Sequence, residues 1–322
     1  MHSPADLRLL IEQKLSTWPW PKDPVLLYEP MNYLMGLGGK RMRPIACLMS
    51  AEIFGTKPEQ ALTPALGIEF FHNFTLAHDD IMDQAPLRRG NQTIHTKWDE
   101  NVGILSGDAL MIKAYQCFEG LPAEAFKKAM IRFNQTALEV CEGQQYDMDF
   151  SISPEVDLES YLRMIRFKTA VLLGFSFELG GIIAGVSEED CKNLYNMGVD
   201  MGIGFQIHDD FLDAFADPKK FGKKVGGDIV EKKQTFLLIA ARNKANPEQR
   251  KDLEAWLNHE NESLKVEKVK DIFTELGIPS MAQREAASYF DKAKAALDAL
   301  KAPSSQKLMI STLLEELRLR EF

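Results

Sequence analysis

The stretch His78-Asp79-Asp80-Ile81-Met82-Asp83 closes one strongly apolar segment, and His208-Asp209-Asp210-Phe211-Leu212-Asp213 closes another. Both read HDDxxD. In a helix the first and last aspartates of each copy stand at i and i+4, so the two carboxylates share a face. Like charges at that spacing repel and weaken the helix, and a bound divalent cation reverses the sign of the interaction. Hard cations such as Mg²⁺ take oxygen ligands, commonly one or two carboxylates completed by phosphate oxygens and water. A lone DDxxD is as readily a solvated acidic helix end. Two copies, each after an apolar helix, are much harder to dismiss in that way.

Outward from these motifs the dominant period is helical. Over 61–83, apolar residues recur at three- and four-residue steps as Leu66, Phe70, Phe71, Phe74 and Ala77. The segments 103–119, 123–146, 157–183 and 187–215 read the same way. Ser187 with Asp190 has the pattern of a helix N-cap followed by an acid at the third position. No series of alternating β-branched runs bounded by hairpin turns is present. Breaks such as Gly38-Gly39, Pro86 to Gly90 and Asp217 to Gly227 are short, and none resembles a flexible linker. Beyond about residue 245 the chain becomes more polar, which predicts peripheral helices over 245–322. The expectation is an all-α fold of ten or more helices in a single domain spanning 1–322.

The 322 residues, 45% hydrophobic and 26% charged, are enough for one large domain or two small ones with a sizeable core. A formal net charge of −9 argues against a general nucleic-acid binder but leaves room for a local basic cluster on a small anion. Cys47, Cys117, Cys141 and Cys191 are scattered, with no zinc or disulfide pattern, as suits a reducing compartment. The N-terminus has no signal-peptide core, and no run reaches the ~18 apolar residues of a membrane span. A soluble, cytoplasmic protein with no integral membrane segment is therefore expected.

Basic residues recur where a diphosphate would need them. Gly38-Gly39-Lys40-Arg41-Met42-Arg43-Pro44 sets two glycines before a basic triplet, and Arg88-Arg89-Gly90 follows the first aspartate motif. Lys168-Thr169 lies inside a helix, while Lys219, Lys220, Lys223, Lys224 and Lys233 follow the second motif. Arginine forks suit phosphate oxygens. For Lys40, Arg43, Arg88 and Arg89 the context favours function; Lys219, Lys220 and Lys224 read better as solvated surface charge. His72, alone, reads as a core histidine. Phe74 lies roughly 7 Å down its helix from Asp79, where an aromatic is core or the wall of a long apolar cavity.

The set GGKRMRP, HDDIMD, RRG, LSGDAL, GQQYD, KT, FQIHDD and GGDI, running in that order over about 38–235, resembles the trans-polyprenyl diphosphate synthase family of head-to-tail isoprenoid elongases. The resemblance implies a helical bundle with the two aspartate motifs facing each other across a central cavity, usually in a homodimer. It implies that Asp79, Asp80 and Asp83 bind Mg²⁺ and the allylic diphosphate. Asp209 would take a further Mg²⁺, supported by Asp210 and Asp213, for three ions per site in all. Arg88, with Lys168 and Lys233, would contact the allylic diphosphate. Gly39, Lys40, Arg43, His72 and Arg89 would serve isopentenyl diphosphate, and Lys223 would also bind substrate. Thr169 and Gln206 fall where the family stabilises the developing cation. Closure of the loop 219–227 as a lid is a further expectation.

The chemistry implied is ionisation of the allylic C1–O bond, attack by the isopentenyl double bond and loss of a proton to the departing diphosphate, with water kept out. DDIMD lacks the two-residue insertion of many bacterial farnesyl synthases. Phe74, five residues before Asp79, resembles the geranylgeranyl type, while Thr75 departs from the double-aromatic farnesyl pattern. With Phe71, these residues are the chain-length candidates, and the expected product is C20 ahead of C15. Trp98-Asp99-Glu100-Asn101 replaces a glycine-containing turn common in relatives, with only a local effect expected.

Three rivals remain. An HD-type metal phosphohydrolase could use His72, His78, Asp79 and Asp209, but leaves Asp80, Asp83 and the second pair without a role. A terpene cyclase shares the fold but normally carries an Asn/Ser/Glu-based second motif. A regulatory prenyltransferase subunit tends to have lost an aspartate motif, and both are intact here.

Overall fold

The structure, a computed structural model, describes residues 2–153, 155–216 and 225–319. The apolar periodicity is realised as α1 (Pro4–Ser16), α2 (Val25–Gly36), α3 (Met42–Glu52), α4 (Pro58–Met82), α5 (Ile94–Lys97), α6 (Glu100–Gln116) and α7 (Ala123–Ile152). There follow α8 (Leu158–Ile165), a π-helical turn (Arg166–Ala170), α9 (Val171–Ala184) and α10 (Glu188–Phe215). The chain ends in α11 (Gly227–Val230), α12 (Phe236–Lys244), α13 (Pro247–Leu257), α14 (Glu262–Glu275), α15 (Ile278–Ala299) and α16 (Ser304–Arg318). The all-α expectation holds, and the polar C-terminal stretch is helical as read.

The starts of these helices are written locally. Ser3 and Asp6 close a reciprocal capping box on α1, and Asn246 with Gln249 does so on α13, where Pro247 takes the first turn. Asp99 accepts from the Val102 amide at the head of α6. Ser187 and Asp190 bond as their spacing suggested.

Two features depart from the periodicity reading. The break after Pro86 holds a small antiparallel hairpin, β1 (Leu87–Arg88) paired with β2 (Asn91–Gln92). The run 157–183 is interrupted by the π-turn, a feature that often marks functional positions. The stretch Leu158–Ala184 is by length and composition apolar enough to cross a bilayer, yet 67% of its most apolar window is buried within the chain, as in a core helix.

The chain divides into two compact units. The first comprises Met1–Asn134, Phe175–Leu194 and Lys301–Met309; the second Gln135–Gly174, Tyr195–Leu300 and Ile310–Phe322. Helices α7, α9, α10 and α16 supply residues to both. In the first unit α4 packs along α6 and α3. Its core is aromatic: the Phe133 ring centroid lies 5.2 Å from Phe71, 5.1 Å from Phe118 and 5.6 Å from Phe175. Each such ring taken from water stabilises by about 1.5–3 kcal/mol. In the second unit Tyr161, Ile203, Ile207, Phe236, Ile239, Phe273 and Ile278 form one buried cluster. There α7 meets the π-turn backbone to backbone. A Cβ on Gly143 would overlap the Lys168 backbone nitrogen, so only glycine permits the contact.

Candidate active site

In the first unit the C-terminal end of α4 sorts its aspartates by helical geometry. Asp79 is partly buried and Asp83 exposed. Asp80, one residue round the helix, is 2% exposed and is gripped by Arg88. The Arg88 Nε lies 2.8 Å from both carboxylate oxygens and Nη2 lies 2.6 Å from Oδ1. Asp80 is thus an anchor for the hairpin arginine as well as a member of the motif.

The basic triplet also divides. Arg41, with a left-handed φ of 50°, has a fully buried side chain that donates to Glu69 at 2.6 Å, Glu12 at 2.8 Å and the Met35 carbonyl at 2.6 Å. Burial pulls its pKa down, but the two carboxylates outweigh that and hold it above the ordinary value. Arg41 is therefore a strut under the loop, while Lys40 is exposed. Arg43 donates from Nη1 to His72 Nε2 at 3.2 Å. Burial, then the charges of Arg43, Arg89, Arg88 and Arg41, push the His72 pKa well below its usual range. His72 is thus a neutral acceptor inside a field set by four arginines, and such a field favours an anion. The Arg43 Nε–H is buried and without a hydrogen-bond partner among the described residues. Arg89 donates to the Gly38 carbonyl, and its guanidinium lies where a Gly39 Cβ would come within 2.8–2.9 Å.

Phe74 is 9% exposed, with Phe71 at 5.5 Å and His78 at 4.8 Å between ring centroids. The Thr75 hydroxyl is turned back to the His72 carbonyl. His78 Nε2 donates to the Ile104 carbonyl at 3.1 Å. With His72 on Arg43 and His78 on Ile104, the histidines give the hydrolase reading no support.

The second unit repeats the sorting. Asp209 and Asp213 are partly buried, while Asp210 is 6% exposed. Asp210 accepts from the Tyr161 hydroxyl at 2.6 Å, the Phe236 amide at 3.0 Å and Gln206 Nε2 at 3.2 Å. Burial raises its pKa against these three bonds. Asp213 accepts from the Asp228 amide at 3.0 Å. On the π-turn, Lys168 pairs with Asp147 at 2.5 Å and Thr169 donates to Gln206 Oε1 at 3.5 Å. Asp147, Lys168, Thr169, Gln206, Asp210 and Lys233 line a cavity of about 360 Å³, its open mouth included. Burial lifts the Asp228 carboxyl to about 7, with Lys233 opposing. Desolvation lowers the Lys233 pKa, but Asp228, Asp147 and Asp210 outweigh it and hold the ammonium charged.

Among the described residues no three His, Cys, Asp or Glu side chains close into a protein metal cage. The donor set nonetheless suits Mg²⁺, which keeps several waters and takes one or two carboxylates with substrate phosphates. The outer carboxylates Asp79 and Asp83, and Asp209 and Asp213, stand at the i and i+4 positions required. Lys223, the neighbouring Lys219, Lys220 and Lys224, and most of the expected lid lie outside the described residues, as do Arg320, Glu321 and Phe322.

Sequence reasoning missed four participants. Asp147 and Asp228 sit in GQQYD and GGDI, motifs that were visible but carried no role. Arg41 stood in the triplet without its buried partners. Tyr161 had no local signal, because its partner Asp210 is remote in sequence.

Residues 24–276 match a family model described as Polyprenyl synthetase. The chain is 35% identical over 308 residues to a geranylgeranyl pyrophosphate synthase of Geoglobus acetivorans, covering 95% of this chain and 94% of that one. It is 33% identical over 323 residues to a geranylfarnesyl diphosphate synthase of Natronomonas pharaonis, covering 95% and 93%. A crystal structure of a geranylgeranyl pyrophosphate synthase matches with a TM-score of 0.94 at 41% identity over 99% of both chains.

Proposed function

This chain belongs to the polyprenyl synthetase family and is a short-chain trans-prenyl diphosphate synthase, and from that premise we propose that it elongates allylic diphosphates with isopentenyl diphosphate to C20 geranylgeranyl diphosphate. The observation that carries the reading is the acidic end of α4 beside the four-arginine field around His72 in one compact unit. C15 is the next product in order.

Asp79 and Asp83, with Asp80 behind them, and Asp209, with Asp210 and Asp213, would hold Mg²⁺, three ions in all. When bound, such ions neutralise the leaving diphosphate and ease ionisation. Arg88, Lys168 and Lys233 hold the allylic diphosphate. Lys40, Arg43 and Arg89, with neutral His72 and the close backbone at Gly39, hold isopentenyl diphosphate. Because Gln206 Nε2 is spent on Asp210, its Oε1 turns toward Thr169 and presents a carbonyl dipole to the cation. The allylic C1–O bond breaks and its electron pair leaves with diphosphate. The isopentenyl double bond forms the new C–C bond, and the departing diphosphate takes the released proton. Met164 and Ile165 give the cavity an apolar wall that helps exclude water.

The chain acts as one catalytic domain, soluble and cytoplasmic, and assembles as a homodimer. The dimer reading is supported by α6, which leaves Ile104, Leu105 and Ile112 exposed at 39%, 59% and 54% on helical spacing.

The purified chain with Mg²⁺, isopentenyl diphosphate and C5, C10 or C15 allylic diphosphate tests the reading, with products identified by mass after dephosphorylation. A C20 end product that vanishes with EDTA is expected. Phosphate release without chain growth would overturn it.

A further inference from the structure

The hairpin that carries Arg88 and Arg89 is weak on its own. Its two-residue loop places Arg89 at φ 52° and Gly90 at φ 77°, both left-handed. Glycine adopts that conformation freely and arginine does not. A pair of two-residue strands, Leu87–Arg88 and Asn91–Gln92, is too short to hold its register unaided. Asp80 holds β1 through Arg88, and β2 needs its own anchor outside the hairpin.

The geometry points to Tyr33 as a positioning residue that fixes this hairpin and, through it, the Arg89 guanidinium. The Tyr33 hydroxyl donates to the Gln92 carbonyl at 2.8 Å. Its ring meets Trp98 edge-on at 5.3 Å between centroids. The Lys97 ammonium sits 3.8 Å above the Tyr33 ring and 4.7 Å from the Trp98 ring. Tyr33 thereby grips β2 and the end of the helix that follows it. Helix α2, which carries Tyr33, leads directly into Gly38-Gly39, where the Gly38 carbonyl and the bare Gly39 Cα receive Arg89. One short stretch of chain therefore holds the hairpin at both ends. Trp98, expected to act locally at the entry to its helix, also lays its ring against Tyr33.

This role rests on the reading of Arg89 as an isopentenyl diphosphate ligand, and the experiment separates the two. Tyr33→Phe removes the hydroxyl and keeps the ring. Loss of one hydrogen bond of this kind corresponds to a roughly three- to tenfold effect. The expected result is that rise in KM for isopentenyl diphosphate, with kcat within about twofold and the melting temperature nearly unchanged. Arg89→Gln raises the same KM further. Because Tyr33 acts through Arg89, the double variant should show the KM of Arg89→Gln alone. An unchanged KM in Tyr33→Phe beside a raised KM in Arg89→Gln overturns the positioning role alone. Multiplying effects in the double variant, or a joint fall of kcat and melting temperature in Tyr33→Phe, also overturn it. An unchanged KM in Arg89→Gln overturns the diphosphate reading itself.

Discussion

Between Asp79 and Asp80 a single step of about 100° around the helix separates a partly buried carboxylate from one that is 2% exposed and bound to Arg88. Asp209 and Asp210 repeat the step with Tyr161 in the place of Arg88. The i and i+4 spacing of the outer aspartates is legible in any six residues of sequence. Which aspartate turns inward depends on a partner eight residues away in one case and 49 in the other. At Phe74 the residue scale also bears on product length. Removing that ring opens space toward Phe71, whose own ring stays packed on Phe133. Phe74→Ala should shift the end product from C20 to C25 and destabilise by ~3 kcal/mol. Mass analysis of dephosphorylated products checks it, and an unchanged distribution would remove Phe74 from the chain-length role.

Among the elements, the apolar run from Leu158 to Ala184 reads as one helix, yet it contains a π-turn at Arg166–Ala170. Nothing in the five residues RFKTA announces the turn. Its reason lies across the contact, where α7 brings Gly143 against the Lys168 backbone and Asp147, one helical turn on, against the Lys168 ammonium. Gly143→Ala forces a Cβ into that backbone. Overpacking of this kind typically costs about 1–3 kcal/mol, so in a chain of this size a melting temperature lower by ~3 °C is expected. KM for the allylic diphosphate should rise with it. A variant of ordinary stability and KM would show that the close contact can relax. The β1–β2 hairpin was equally illegible, since two-residue strands carry no alternation to read.

The whole molecule is two compact units whose helices α7, α9, α10 and α16 each supply residues to both. The exposed α6 residues Ile104, Leu105 and Ile112 belong to the first unit. Leu105→Glu places a charge on the face assigned to the homodimer and should convert dimer to monomer in light scattering. A dimer of undiminished stability would move the interface elsewhere. The sequence alone determined the helical class, the paired carboxylates and the basic clusters, because periodicity, spacing and side-chain charge are properties of short stretches. Only the tertiary structure decided that Arg41 is a buried strut, that His72 is neutral and that Tyr33 holds the arginine hairpin. The first two depend on burial and charge and the third on a hydrogen bond, through partners such as Glu69, Arg43 and Gln92 that lie 28, 29 and 59 residues away, and none of this is written in the residue that responds.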